Sequence, residues 1–187
     1  VQKFKDHALS TEHPTIRSTL QNPDTFFQSR EACNTAYNEL PAIVEGYMKE
    51  INKLTGRNYK LFNYYGAPDA TRVVVAMGSV CDTLTEVVDY LTAKGEKVGF
   101  IQVHLYRPFS MKHLIKAIPA TTKILTVLDR TKEPGAMGEP LYEDVCAAIS
   151  ESKFNGLKML CGRYGLSSKA TTPAQMKAVF DNMKSGK

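Results

Sequence analysis

Three short, unbroken apolar runs constrain the fold of this 187-residue chain more than any other feature. Residues 72–77, 98–105 and 123–129 are rich in β-branched side chains, and turn-forming residues bound them. Runs of this kind are typical of strands that are covered on both faces of a sheet. Residues 59–65 and 158–161 predict two further strands by the same criteria.

Segments with helical spacing of apolar residues separate these runs, at residues 81–94, 111–118, about 140–152 and about 173–183. Strands that alternate with helices imply right-handed βαβ crossovers and a mainly parallel sheet. We therefore predict an α/β fold, a three-layer α/β/α sandwich. Ligands and partners of such sheets meet the loops beyond the carboxyl ends of the strands. Here these loops are residues 78–81, 106–110, 130–138 and 162–168.

The amino-terminal part of the chain has a different pattern. Residues 1–24 contain His13-Pro14 and Asn22-Pro23, and each proline disfavours helix in the residue before it, so an extended arm is expected. Apolar residues then recur at helical spacing over residues 25–56. The length suits one domain, so residues 25–187 are predicted to form a single α/β domain that begins with this helical segment.

Charge and hydropathy narrow the classes of partner. The net charge is +5, but Lys and Arg are scattered and never form a basic block, which argues against nucleic acid. No apolar run approaches the roughly 18 residues of a membrane span, and residues 1–7 hold no apolar signal segment. We expect a soluble protein of the cytoplasm. Because the chain starts at Val1, we expect a piece of a longer polypeptide.

Cysteine and histidine positions give no catalytic or metal site. Cys33, Cys81, Cys146 and Cys161 lie far apart without metal-ligand spacing, so reduced thiols, mostly in the core, are expected, and a self-contained iron-sulfur cluster is excluded. His104 falls inside an apolar strand and reads as a core or edge residue. No Ser or Cys lies in a nucleophile motif. We therefore assign no catalytic residue and no metal ligand.

The loop that follows the strand at 123–129 has the most unusual chemistry. It carries Arg130, Thr131, Lys132 and Glu133, then a Pro-Gly turn, and it reaches Glu139 at a predicted helix start. One interpretation is an ordinary turn with solvated charges. The other is that Arg130 and Lys132 present cations to a phosphate or to a partner carboxylate, beside helix-start amides that favour an anion. The pattern alone leaves both open.

Arginines in two other loops have the same two interpretations. Arg107 lies between aromatic residues in a turn whose Ser110 is expected to cap the next helix, and Arg163 lies in a Gly-rich loop. Each is either part of a packed turn or an anchor at a domain interface, where Arg and Tyr are enriched. The strand end at 75–80 lacks the spacing of a dinucleotide site or a P-loop and predicts a plain turn.

Several motifs in chain order resemble pyruvate:ferredoxin (flavodoxin) oxidoreductases. They are His13-Pro14-Thr15-Ile16-Arg17, Gln21-Asn22-Pro23-Asp24, Phe27 to Ala32, Leu105-Tyr106-Arg107-Pro108-Phe109-Ser110, the run from Pro119 through Leu128-Asp129-Arg130-Thr131-Lys132-Glu133-Pro134-Gly135 to Tyr142, and Gly162-Arg163-Tyr164-Gly165-Leu166. In that family the region is similar to the carboxyl-terminal domain of transketolases. The resemblance spans nearly the whole chain.

This resemblance implies a parent enzyme that converts pyruvate and coenzyme A to acetyl-CoA and CO2. Such enzymes use thiamine diphosphate with Mg2+, and they pass electrons through 4Fe-4S iron-sulfur clusters to ferredoxin or flavodoxin. The chain has neither the family's cluster cysteines nor its cofactor-diphosphate motif. We expect it to be inactive alone, to hold no cofactor, and to serve as a structural and interface domain.

The expected partners are the other domains of the parent enzyme and its homodimer mate. Seven residues are candidates for these contacts: Arg107, Arg130, Thr131, Lys132, Glu133, Glu139 and Arg163. Two alternatives remain open at this point. The domain could belong to a pyruvate:NADP oxidoreductase or a sulfite-reductase flavoprotein fusion, or it could be a stand-alone module that binds a phosphate ligand or a nucleotide.

Overall fold

A five-stranded mixed sheet forms the centre of the fold. The structure, a computed structural model, describes residues 1–12, 14 and 20–185. The strands lie in the order β1-β3-β2-β4-β5, and they comprise β1 (Phe62–Gly66), β2 (Arg72–Met77), β3 (Val98–Val103), β4 (Ile124–Asp129) and β5 (Lys158–Arg163). Strands β2 to β5 are mutually parallel, and β1 pairs antiparallel with β3 at one edge. The predicted mainly parallel sheet is confirmed.

Helices cover both faces of the sheet. Helices α3 (Val80–Thr92) and α6 (Pro173–Ser185) pack on one face, where Val74 and Phe100 meet Leu84 and Phe180. Helices α4 (Met111–Ala117) and α5 (Pro140–Ser150) pack on the other face. Successive residues of β2 enter opposite cores because side chains alternate along a strand. The predicted three-layer α/β/α sandwich is therefore confirmed.

Strand β1 starts later than the sequence predicts, at Phe62 instead of residue 59. The reason is a side-chain clamp from helix α2 (Pro23–Thr55). The amide N–H of Tyr59 donates to Asn52 Oδ1 at 2.7 Å, and Asn52 Nδ2 donates to the carbonyl of Tyr59 at 2.9 Å. Because both backbone groups of Tyr59 bond to one side chain, they are not used in a strand ladder.

The amino-terminal part differs from the predicted extended arm over residues 1–24. Residues 2–6 form a short helix, α1 (Gln2–Asp6), and α2 already begins at Pro23. Proline restricts only the residue before it, so residues 2–6 are free to make a helical turn, and Pro23 fits the first turn of a helix. Residue 13 and residues 15–19 of the predicted arm lie outside the described residues.

The segment predicted as helical over residues 25–56 corresponds to the single helix α2, which continues through Pro41. It ends at Thr55 and is followed by Gly56 with a φ of 71°, a left-handed conformation that glycine adopts readily. The chain divides into two compact units, residues 1–38 and 39–187. The boundary between these two units falls inside α2.

The four cysteines are free thiols, and they are less buried than expected. Cys81 on α3 is buried and Cys146 on α5 is half-buried, whereas Cys33 on α2 and Cys161 on the edge strand β5 are exposed. An edge strand is covered on one side only, which explains the exposure at Cys161. Within the described residues, no helix is both long enough and apolar enough to cross a membrane.

Candidate functional site

The pairing of β4 with β5 places the loops that follow these two strands side by side. Asp129 and Arg163 are partners in the parallel ladder, and the loops that follow them start at the same edge of the sheet. The N–H of Tyr164 donates to the carbonyl of Asp129 at 3.1 Å. Arg130 Nε donates to the carbonyl of Gly165 at 3.0 Å. Residues 130–139 and 163–165 are therefore tied into one surface.

Asp129, at the end of β4, caps the helix that follows the loop. Its carboxylate is 2% exposed and accepts the N–H of Leu141 at 3.1 Å and the N–H of Tyr142 at 3.2 Å, in the first turn of α5. Burial raises the pKa of Asp129 above its ordinary value, although these two hydrogen bonds oppose the shift. Because a carboxylate already occupies these helix-start amides, they are not available to a phosphate or to a carboxylate of a partner.

Glu139 joins the loop back to β5. Its side chain is buried, and it accepts a hydrogen bond from Arg163 Nε and another from the N–H of Glu133 at 2.8 Å. Lys132 Nζ lies 3.9 Å from the same carboxylate. Burial disfavours ionisation of Glu139, but Arg163, the amide of Glu133 and Lys132 together hold its pKa below the ordinary value. A buried, ionised carboxylate thus fixes the shape of the loop.

The predicted cations of this surface are bonded within the domain and remain partly exposed. Lys132 Nζ donates to the carbonyl of Glu133 at 3.1 Å, and its side chain is 43% exposed. The side chain of Arg163 is 36% exposed beside its contact with Glu139. Thr131 is half-buried on the same loop. These residues form a charged surface that neighbouring residues hold in position.

The tip of this loop carries an exposed apolar side chain that sequence reasoning did not single out. The predicted Pro134-Gly135 turn is present, with Gly135 at a φ of 84°. Met137 follows it and is 98% exposed. A flexible thioether side chain that protrudes from an ordered loop is a common feature of binding surfaces. The cue in the sequence was a lone large apolar residue, Met137, in a turn of small residues.

Arg107 lies on a different part of the same edge. Its guanidinium pairs with Asp144 of α5 at 2.6 Å, stacks 3.9 Å from the ring of Tyr106, and donates to the hydroxyl of Tyr106 at 3.0 Å. These contacts fasten the 106–110 turn to α5. Arg107 is therefore not joined to the cluster around Glu139 in the way that Lys132, Glu133 and Arg163 are.

The neighbouring histidines are held in structural contacts. His104 packs edge to face against Tyr59, with ring centroids 5.5 Å apart, and burial lowers its pKa. Ser110 is the first residue before α4, but its side chain makes no capping bond, so the expected cap is wrong. Instead, the Ser110 hydroxyl bonds to His113 Nδ1 at 2.6 Å. Across the described residues, no three His, Cys, Asp or Glu side chains are grouped so as to hold a metal ion.

Comparison with known proteins adds the family. Residues 70–176 match the family model of the pyruvate:ferredoxin oxidoreductase core domain II. The chain is 54% identical over 183 residues to a pyruvate-flavodoxin oxidoreductase of Enterobacter agglomerans, and 55% identical over 183 residues to a pyruvate:ferredoxin oxidoreductase of Moorella thermoacetica. Each alignment covers 98% of this chain but 16% of the relative.

A solved structure shows the same fold at low sequence identity. It is a 2-oxoglutarate:ferredoxin oxidoreductase from Magnetococcus marinus, solved with 2-oxoglutarate, coenzyme A and succinyl-CoA bound. The similarity covers 88% of this chain and 24% of that chain, with a TM-score of 0.56 and 14% identity. Our chain therefore has the fold of one domain of a much longer oxidoreductase polypeptide.

Proposed function

Because the chain belongs to the family of pyruvate:ferredoxin oxidoreductase core domain II, we propose that it is a non-catalytic structural domain of a larger enzyme. That enzyme converts pyruvate and coenzyme A to acetyl-CoA and CO2 and reduces ferredoxin or flavodoxin. The relatives at 54% and 55% identity are named for pyruvate and for these electron acceptors, and the chain spans 16% of their length.

One observation carries the non-catalytic part of this proposal. The two buried carboxylates at the carboxyl end of the sheet, Asp129 and Glu139, are both engaged in holding the loop. Asp129 caps α5, and Glu139 bonds to Arg163 and to the backbone of Glu133. An acid or base catalyst must reach a proton on its substrate. Carboxylates that are buried and bonded in this way stabilise the domain instead.

The cofactors of the proposed enzyme are thiamine diphosphate with Mg2+ and 4Fe-4S iron-sulfur clusters, and coenzyme A is its substrate. The residues of this chain do not fit these groups. The four thiols lie on four different elements, α2, α3, α5 and β5, whereas a cluster needs several thiolates close together. Asp129 already occupies the amides that a diphosphate would use at α5. We therefore place every cofactor in the remainder of the enzyme.

We propose that the carboxyl-end surface contacts neighbouring domains or the homodimer mate. Its exposed or partly exposed residues are Arg107, Arg130, Thr131, Lys132, Glu133 and Arg163, with Met137 at the tip. Glu139, the seventh residue predicted for these contacts, is buried and supports the surface from within the domain. Glu139 and Asp129 hold this surface in one shape before any contact forms. A preorganised surface loses less conformational entropy on binding, which favours its use as an interface.

Two substitutions in the full-length enzyme test this proposal. Lys132→Glu reverses a partly exposed charge, and Met137→Asp places a charge on a side chain that is 98% exposed. Met137 makes little contact inside the domain, so its replacement should weaken assembly or pyruvate-dependent ferredoxin reduction without unfolding the domain. Tyr90→Asp, on an exposed part of α3, is the control. Unchanged oligomeric state, stability and turnover in both variants would contradict the proposal.

A stand-alone ligand-binding module is the second candidate, and one feature favours it. A cleft of about 580 Å3 lies between the second half of α2, β1 and α4, and Lys49, Lys60 and Lys116 line it. Clefts of this size can hold small ligands. Calorimetry of residues 1–187 with coenzyme A, thiamine diphosphate and NADP separates the candidates. We expect no binding at micromolar concentrations, and a dissociation constant in that range would favour the module.

The electron acceptor of the enzyme and its location in the cell are part of the same proposal. The reported relatives are named for flavodoxin or ferredoxin, so we favour these acceptors over the NADP-dependent and sulfite-reductase parents. We propose that it works in the cytoplasm, or in a hydrogenosome or similar organelle of an anaerobic eukaryote. Measuring pyruvate-dependent reduction of ferredoxin, flavodoxin and NADP by the full-length enzyme tests the choice of acceptor. Reduction of NADP alone would contradict it.

A further inference from the structure

The second half of α2 is apolar over a wider arc than its own domain covers. Val44 and Met48 point toward the sheet and pack against the core that α4 and α5 share. A second set of apolar side chains points away from that core. An amphipathic helix usually has one apolar stripe, directed at the core. The second set therefore needs a different explanation.

These outward side chains form one continuous stripe. Ile43, Tyr47, Ile51 and Leu54 follow at spacings of four, four and three residues, so they lie above one another on the helix surface. They are 48%, 64%, 45% and 87% exposed, respectively. At a rise of about 1.5 Å per residue, the stripe is roughly 17 Å long. We call Ile43, Tyr47, Ile51 and Leu54 the α2 stripe.

One flank of the α2 stripe is charged with both signs, and on the other flank lie the core-facing residues Val44 and Met48. Glu50 and Lys53 lie on the neighbouring face of the helix and are exposed. An apolar centre with a polar rim is the usual pattern of a protein interface. Contiguous exposed apolar patches of this kind mark binding sites in soluble proteins. Because the rim is mixed in sign, the surface fits an apolar face of another protein domain better than a charged ligand.

We infer that the α2 stripe docks against another domain of the same polypeptide, outside residues 1–187. This rests on the proposed function as part of a longer enzyme. The chain spans 16% of the length of its relatives, so most of such a polypeptide lies outside it. The match to the domain II family begins at residue 70, after α2. The helix that bears the stripe therefore precedes the segment that the domain II family shares.

Site-specific photo-crosslinking in the full-length enzyme tests this docking. The photoreactive p-benzoylphenylalanine replaces Tyr47, whose aromatic ring it resembles, and in a control it replaces Lys53 on the polar flank. Cross-linked peptides are then identified by mass spectrometry. We expect a cross-link from position 47 to a segment outside residues 1–187, and at least tenfold less from position 53.

Mixing 15N-labelled and unlabelled subunits separates contacts within one chain from contacts between copies. Cross-links that combine both isotopes would show a second copy on the α2 stripe and would overturn the inference. Equal yields at positions 47 and 53, or cross-links confined to residues 1–187, would also overturn it. The proposed function is tested separately by the Lys132 and Met137 variants, so it can stand if the docking inference fails.

Discussion

Replacement of Asp129 tests the most specific structural claim about the carboxyl-end surface. Asp129→Ala removes both acceptors that cap α5, and the N–H of Leu141 then lies buried without its partner. Asp129→Asn keeps one acceptor oxygen and removes the charge. Asn therefore loses the charge and one of the two hydrogen bonds, whereas Ala loses the charge and both hydrogen bonds.

The expected cost of Asp129→Ala combines two losses of stability with one gain. Loss of a side-chain helix cap costs about 0.5–2 kcal/mol, and a buried N–H without a partner costs about 1–3 kcal/mol. The variant also removes a carboxylate that burial makes unfavourable to ionise, which the raised pKa of Asp129 indicates. We expect a net loss of about 2 kcal/mol for Ala and about half of that for Asn.

Urea unfolding of residues 1–187, followed by circular dichroism, measures both values. A loss of about 2 kcal/mol corresponds to a fall in melting temperature of about 4–8 °C for a domain of this size. The pH dependence is a second check. Because the pKa of Asp129 is raised in the folded state, its contribution to stability falls as the pH rises from the ordinary value of 3.8 through the raised pKa.

The Asn variant should lack this part of the pH dependence. A loss below about 0.5 kcal/mol for Asp129→Ala, the lower limit for a helix cap, would refute the capping role. An identical pH profile for the wild type and Asp129→Asn would refute burial as the cause of the raised pKa.

Three further predictions concern Glu139, Gly165 and the reactivity of the cysteines. The pKa of Glu139 is lowered, so the stability that its ionised form provides should be present above pH 4.5, the ordinary pKa of a glutamate. This stability should disappear as the pH falls through the lowered pKa, and Glu139→Gln should not show that loss in acid unfolding. Gly165→Ala should cost about 1 kcal/mol in urea unfolding, because φ is +59° and the new Cβ would lie 3.3 Å from Arg130 Nε; a neutral result would contradict this. Burial raises the pKa of Cys81 to about 12, so iodoacetamide at pH 8 should modify the exposed Cys161 and leave Cys81 unmodified. Equal labelling of the two cysteines in the native protein would contradict this prediction, because it would show that the core opens.

The layers of the fold were predictable from local patterns, because the side chains that a strand or helix buries determine how apolar residues are spaced along the sequence. Strand β2 begins and ends where its β-branched run does, at Arg72 and Met77. Strand β1 was less predictable, since Asn52, seven residues before Tyr59, diverts the backbone of Tyr59 from the sheet. Helix α1 was missed because no sequence rule assigns a single helical turn that buries no residue.

The sequence shows where the charged loop lies in the chain but not how its side chains bond. Sequence rules look for a helix cap directly before the helix, where Glu139 stands. The actual cap is Asp129, twelve residues before Leu141, and Glu139 instead bonds to Arg163, 24 residues later. The contact between Glu139 and Arg163 depends on the pairing of β4 with β5. That pairing is a tertiary feature, which periodicity along the chain does not contain.

Oxidation of Met137 tests the proposed interface role most directly. Hydroxyl-radical footprinting compares the oxidation rate of this side chain, which is 98% exposed, in residues 1–187 and in the full-length enzyme. Tyr90 on α3 serves as the internal reference. If the carboxyl-end surface contacts a neighbouring domain, Met137 should be oxidised several-fold more slowly in the full-length enzyme, relative to Tyr90. Equal relative rates in the two proteins would contradict the account.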